Sequence, residues 1–254
     1  MEPRLMEKEY RVHVYETGPE GKLSLYSFFD YLQDIASDHA VRLGYGRDDL
    51  MKRNHFWVLS RIYSEIKEWP AWGDKITIKT WPRGIEGVFA LRDYEASFSD
   101  GRVFGSATSS WLIIDLKTKK IQRPENTLFI PNQESIPRSS LDRNAGKLEA
   151  ISADSRVVSE IQVRISDLDI NLHTNNVKYL KWVTDSCSLD FVMDNFPYSA
   201  EINYIAESRL DEKIVIRSYE DNVNGKVLHS SIVRLNDSKE LCRIRIGWRS
   251  NHTE

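Results

Sequence analysis

The amino-acid sequence predicts an α+β fold made of two copies of one unit, each a single helix wrapped by an antiparallel sheet. Three observations carry this prediction. The order strand, helix, four strands occurs twice along the 254 residues. Segments at corresponding places resemble each other, FFDYLQDIAS with VKYLKWVTDS and SEIKEWPAWGDKITIKT with AEINYIAESRLDEKIVIRS, as internal duplication requires. In each unit one run of helical period gives way to strand-like runs bounded by turn residues.

A weak alternation from Tyr10 to Tyr15 reads as the first strand, punctuated by Gly18, Pro19 and Gly21. Next, Leu25, Phe28, Phe29, Leu32, Ile35, Ala36, Ala40 and Leu43 recur at spacings of three and four, which is one face of a helix. Ser24 stands where an N-cap belongs and Gly44 where a helix stops. After Asn54 the period changes. HFWVLSRIYSEIKEW, DKITIKTW, GVFALRDYEASF and RVFGSATSSWLIID are rich in β-branched and aromatic residues and read as four strands. Pro70 with Gly73, Pro82 with Gly84 and Gly87, and Asp100-Gly101 mark the turns between them. Residues 117–152 carry three prolines and little periodicity, so they read as a linker between a first repeat, 1–116, and a second, 153–254.

In the second repeat SRVVSEIQVRI is a strand, and NVKYLKWVTDSCSLDFVMDN is one helix with Val177, Leu180, Val183 and Cys187 on its stripe. YSAEINYIAES, EKIVIRSYED, KVLHSSIVRLND and LCRIRIGWRS are four strands. Asn224-Gly225 reads as a hairpin turn, and Ile244, Ile246 and Trp248 share one face of the last strand. A buried helix wrapped by an antiparallel sheet is the hotdog arrangement, so the expectation is a tandem hotdog fold.

Composition excludes several function classes. The chain is 41% hydrophobic and 29% charged with a net charge of -3, which is globular and gives no basic field for nucleic acid. No run approaches the roughly 18 apolar residues of a membrane helix. The opening residues MEPRLMEKEYRVHVYE lack the apolar core of a secretion signal, so a cytoplasmic location is expected. Cys187 and Cys242 have no CxxC spacing and suggest neither a disulfide framework nor zinc.

The chemistry concentrates in SDLDINLHTNNVKYLKWV, residues 166–183. Asp167, Asp169, Asn171 and His173 alternate there. A calcium loop starting at Asp167 would need Gly and Glu where Leu172 and Lys178 stand, so that reading fails. A capped turn is the simple structural reading, with Asn175 or Asn176 capping the next helix. It leaves His173, which exchanges protons near neutral pH, unexplained. In an extended segment Asp169, Asn171 and His173 would point the same way. Glu207, in NYIAESRL, reads as part of the following strand, on a face that sequence does not decide.

The run from Asp167 to Tyr179 resembles the signature of the acyl-acyl carrier protein thioesterases, D-L-D-x-N-x-H-x-N-N-V-K-Y, and meets its ten specified positions. The resemblance extends to the duplicated layout. It implies a tandem hotdog thiolester hydrolase that releases fatty acid from acyl carrier protein, with no cofactor and no metal. It carries the functional Asp, Asn and His onto Asp169, Asn171 and His173. The family's Glu falls on Glu207 in Tyr204-Ile205-Ala206-Glu207-Ser208. Plant members have Cys at the next position, and Ser208 here argues against that residue as nucleophile. Glu207 is expected to serve as general base, its pKa raised by burial in an acyl tunnel. The rival assignment makes Asp169 the nucleophile.

The first repeat has PEGKLSLYS before its helix and no acid, amide and imidazole set, so it is expected to shape the pocket without doing chemistry. The acidic carrier implies a local basic patch, with Lys117, Lys119, Lys120 and Arg123, or Lys178 and Lys181, as candidates. Monomer and homodimer both fit. A hotdog acyl-CoA thioesterase is the alternative, ahead of a dehydratase or an acyl-binding module.

Overall fold

In the computed structural model, which describes residues 4–127, 136, 138–221 and 226–251, helix α1 spans Leu25–Arg42. Ser24 starts it, its Oγ accepting from the Ser27 amide at 3.3 Å. Gly44 ends it at φ +79°, a left-handed conformation that glycine adopts without steric penalty. Phe28, Leu32 and Ile35 are buried along one face. Asp34 and Asp38 each hold Lys8 at 2.7 Å. A short helix α2, Arg47–Met51, follows. Strands β2 (His55–Ile66), β3 (Lys75–Glu86), β4 (Phe89–Phe98) and β5 (Val103–Asp115) then pair antiparallel.

The first strand is displaced from its expected place. Strand β1 is Met6–Arg11, paired with β3, and 14–16 form a 3-10 turn closed by Glu16 Oε2 on the His13 amide at 2.7 Å. Lys8 occupies an inward position because its ammonium reaches the α1 carboxylates, and this charge masks the alternation. Pro82 and Gly84 also differ from expectation. They lie inside β3 at a bulge, and Gly87 makes the turn.

The second half repeats the plan with β7 (Arg156–Gln162), α4 (Asn176–Asp185), β8 (Asn195–Tyr204), β9 (Lys213–Asp221), β10 (Lys226–Arg234) and β11 (Glu240–Ser250). The expected single helix breaks in two. Ser186 Oγ donates back to the Val183 carbonyl at 2.7 Å, and Ser188 caps a new helix, α5 (Leu189–Asp194). Serine hydroxyls compete for backbone groups and favour such junctions. The Asn224-Gly225 turn lies outside the described residues. Ile244, Ile246 and Trp248 are buried as expected, and both cysteines are free.

Among the described residues ten strands join one sheet in the order β1-β3-β4-β5-β2-β8-β11-β10-β9-β7. The order is the same read inward from either end. The seam is β2 against β8, from Arg61↔Asn203 to Glu65↔Ser199. Helices α1 and α4 pack together against the apolar face, which is the tandem hotdog fold. The linker contains β6 (Ile121–Gln122), beside β5, and α3 (Pro124–Thr127). Its later part lies on the opposite face. The Ser140 amide donates to Asp93 Oδ2 and the Leu148 amide to Asn203 Oδ1, both at 2.8 Å. Arg143 grips Glu201 through two bonds of 2.9 Å. Burial alone would push the Glu201 carboxyl up, but Arg143, the Gly146 amide and Arg245 together hold it below its usual value. Among the described residues no helix is long and apolar enough to cross a membrane.

Candidate active site

The polar run before α4 is a closed turn, in line with the capped-turn reading and not with an extended segment. Leu168 and Thr174 form an antiparallel bridge, and the Asp169 amide donates to the His173 carbonyl at 2.8 Å. Leu172 sits at φ +61°, a left-handed conformation that costs a non-glycine residue roughly 1–2 kcal/mol. Asp169 offsets this cost. Its Oδ1 accepts from the Asn171 amide at 2.8 Å and the His173 amide at 3.1 Å. Asn175 caps α4 by accepting from the Val177 amide at 2.9 Å, so the turn runs directly into the helix N-terminus.

Glu207 arrives from the end of β8. It is not in the strand, which stops at Tyr204. The amides of Ile205 and Ala206 both point at the Leu241 carbonyl, at 2.9 and 3.1 Å, and the chain leaves the sheet there. Glu207 Oε2 then lies 3.2 Å from His173 Nδ1. Arg209 donates to Glu207 Oε1 at 2.8 Å and stands 3.5 Å from His173 Nε2. A guanidinium only donates, so this arrangement suits an imidazole with its proton on Nδ1 and Nε2 open as acceptor. The Glu207 side chain is 50% exposed, not buried in an acyl tunnel as expected.

Ser208 holds the two segments together. Its carbonyl accepts from the Thr174 amide at 2.8 Å, and its Oγ meets Thr174 Oγ1 at 2.7 Å and Tyr179 Oη at 2.8 Å. It is fully buried. Burial pushes the Tyr179 phenol up to about 12, so that group stays protonated at neutral pH.

The first half also contributes. Arg47, at the start of α2, donates from Nε to Asn171 Oδ1 at 3.1 Å, which leaves the Asn171 NH2 as its donor end. An apolar pocket of about 10 Å³, room for one water, lies between the halves. Asn176 and Val177 at the start of α4 line it, with Phe29, Leu32, Ile62 and Tyr204. A larger cavity of about 360 Å³ lies across the sheet beneath the linker, away from the turn. Among the described residues no group of His, Cys, Asp and Glu is arranged to hold a metal.

Two family models cover most of the chain, the acyl-ACP thioesterase N-terminal domain over residues 3–129 and the C-terminal domain over 151–250. The chain belongs to the acyl-ACP thioesterase family. It is 27% identical over 271 residues to the chloroplastic palmitoyl-acyl carrier protein thioesterase of Gossypium hirsutum, covering 97% of this chain and 64% of that one. It is 27% identical over 223 residues to the chloroplastic oleoyl-acyl carrier protein thioesterase 1 of Arabidopsis thaliana, covering 82% and 61%. The chain thus spans less than two thirds of the length of these relatives. An acyl-ACP thioesterase structure from Bacteroides thetaiotaomicron matches with a TM-score of 0.85 at 22% identity, covering 96% of this chain and 98% of that one. The 12:0-ACP thioesterase of Umbellularia californica also matches at 0.85, with 20% identity over 97% and 98% of the two chains. These two likenesses support the fold.

Both halves of this family member build the same turn. In the first half Thr17 bridges Leu23, Gly21 takes φ +73°, the Leu23 amide meets the Pro70 carbonyl at 2.8 Å, and Ser24 caps the helix. Gly18, Glu20, Lys22 and Trp69 therefore stand where the second half has Asp169, Asn171, His173 and Glu207. The backbone repeats while the chemistry does not. Sequence reading missed Arg47, Arg209 and the latch role of Ser208. Only the register of the two turns, visible as TGPEGKLS against LDINLHTN, hinted at the correspondence.

Proposed function

We propose that the chain hydrolyses the thioester of fatty acyl-acyl carrier protein to free fatty acid and the carrier thiol. The observation that carries the proposal is the approach of His173 Nδ1 to Glu207 Oε2 at 3.2 Å, on a turn entering the helix that lines the apolar pocket. Glu207 accepts the Nδ1 proton in a hydrogen bond and orients the ring. Nε2, released from its 3.5 Å contact with Arg209, takes a proton from water as the water oxygen bonds to the thioester carbon. The Asn171 NH2 gives one N–H to Asp169 Oδ2 at 3.4 Å, and its second N–H, with the positive end of α4, serves the oxygen that becomes negative. The C–S bond then breaks as the carbonyl re-forms, and the leaving sulfur takes the proton back from Nε2. Asp169 holds the turn. Its engagement with two amides disfavours it as nucleophile. On this reading residues 153–254 form the catalytic repeat, 117–152 the linker, and 1–116 the repeat that walls the acyl pocket. The pocket must widen to admit a chain.

The test is thiol release from a panel of acyl carrier protein and CoA thioesters of varied length, with Glu207→Ala as control. Preferential release from the carrier supports the proposal. Faster turnover of CoA thioesters would replace it with an acyl-CoA thioesterase. Dehydration of hydroxyacyl thioesters without thiol release would overturn it.

A further inference from the structure

Two lysine-bearing runs stand out in the sequence, and the structure separates them. Lys178 lies 3.9 Å from Asp167, and Lys181 pairs with Asp185, so both are answered by carboxylates. Lys117, Lys119 and Lys120 lie in the turn after β5, with Arg123 just before α3, and all four are exposed. Among the described residues none of the four has a carboxylate within ion-pair distance. The Lys119 ammonium lies 5.7 Å over the Phe56 ring.

This turn is tied to the candidate site. The Leu116 amide donates to the Asn54 carbonyl at 2.8 Å, which sets the turn beside the exposed Lys52 and Arg53. Arg53 also donates to the Thr127 carbonyl at 3.2 Å. Lys52 ends α2, and Arg47 begins it with Nε on Asn171. The five residues of α2 rise only about 7.5 Å. A continuous strip therefore runs from Lys120 through Lys52 to the turn that holds His173.

The carboxylates along the strip are Asp48, Asp49, Asp115 and Glu125. Asp48 pairs with Arg47, Asp49 accepts from the Gly46 amide at 3.1 Å, and Asp115 accepts from the Lys117 and Thr118 amides at 3.0 and 2.7 Å. With Arg47 the strip carries seven cations, Arg47, Lys52, Arg53, Lys117, Lys119, Lys120 and Arg123, against these four carboxylates, so a local excess of positive charge remains on a chain of net charge -3. Met51 and Ile121, 39% and 50% exposed, add apolar contact.

We infer that this strip, Lys52, Arg53, Lys117, Lys119, Lys120 and Arg123, is the docking surface for an acidic protein that delivers its thioester over α2 to Asn171 and His173. The inference rests on the proposed function, with acyl carrier protein as the partner. Exposed cations spaced within a Debye length of about 8 Å at physiological salt act together on an approaching anion. The strip thus supplies what the chain's overall charge does not.

The experiment compares kcat/KM for an acyl carrier protein thioester with that for the same acyl group on N-acetylcysteamine, which lacks the protein. The variants are Lys117→Glu/Lys119→Glu/Lys120→Glu and Lys52→Glu/Arg53→Glu, with Lys75→Glu at the opposite end of the sheet as charge control. Thermal unfolding shows that each variant folds. The expected result is a fall of at least tenfold in the carrier-to-small-thioester ratio, through KM, and a weaker salt dependence toward the carrier. The control keeps the parent ratio. A parent active on the carrier whose strip variants keep the parent ratio would overturn the docking surface alone. A parent that releases thiol from neither substrate would overturn the proposed function beneath it.

Discussion

Ser208→Ala removes a fully buried hydroxyl that touches two others, Thr174 Oγ1 at 2.7 Å and Tyr179 Oη at 2.8 Å. Those neighbours are only 5% and 2% exposed, so water does not readily replace the lost partner. Two hydrogen bonds at about 1 kcal/mol each, plus incomplete pairing of the orphaned hydroxyls, put the cost at about 2–4 kcal/mol. For a chain of this size that is a fall in Tm of about 4–8 °C. The backbone bond from the Thr174 amide to the Ser208 carbonyl is untouched, so the turn and the His173–Glu207 approach persist. The expected drop in kcat is therefore less than about tenfold, equivalent to 1.4 kcal/mol of barrier. Circular dichroism melts give the first quantity and thiol release well below Tm gives the second. Abolished hydrolysis with an unchanged Tm would refute the latch role and force a nucleophilic serine. A pre-steady-state burst that disappears with Ser208 would do the same.

Other outcomes follow from the same geometry. His173→Ala and Glu207→Gln should each lower kcat/KM by about 10²-fold or more, and an unimpaired Glu207→Gln enzyme would remove the pair from the mechanism. Asp169→Ala deletes the acceptor for two turn amides and should lose activity, and a single turnover in heavy-oxygen water should leave Asp169 unlabelled. Label found in its carboxylate would establish the acyl-enzyme route instead. Glu201→Gln leaves Arg143 and Arg245, 41% and 40% exposed, facing a neutral amide beneath the linker, and because solvent screens both guanidiniums the expected cost is about 1–3 kcal/mol at pH 7. Because the folded carboxyl sits below its ordinary 4.5, its contribution is complete above that pH and fades as pH falls below it. The gap between parent and Glu201→Gln in urea unfolding should thus narrow on acidification, and a gap that widened would contradict the assigned ion pair.

Local signals were read correctly where the physics is local. The bounds of α1 follow from Ser24 and Gly44, because a cap bonds to a residue three away and a left-handed stop concerns one backbone angle. The hairpin at Asp100-Gly101 is local too, with Gly101 at φ +86°. The duplication was legible because both halves keep the same order of periods. The break between α4 and α5 was not, since Cys187 and Phe191 continue the apolar spacing while Ser186 and Ser188 redirect the backbone. Lys8 misled in the opposite way, as a charge placed inward by partners on a helix far along the chain.

By itself the sequence determined the repeat, the helix faces and caps, and the motif from Asp167 to Tyr179 that singles out the candidate site residues. The tertiary structure decided how those residues meet. A closed turn replaced an extended segment because Asp169 binds the amides of Asn171 and His173. Glu207 reached His173 because β8 leaves the sheet at the Leu241 carbonyl and Ser208 latches the exit to Thr174. Arg47 reached Asn171 from the other half of the molecule because α1 packs on α4 and β2 pairs with β8. The Glu207, Ser208 and Arg47 contacts join segments about thirty or more residues apart, and no local period or cap records them. The Asp169 turn is local, but its bonds are to backbone amides, which no side-chain period records.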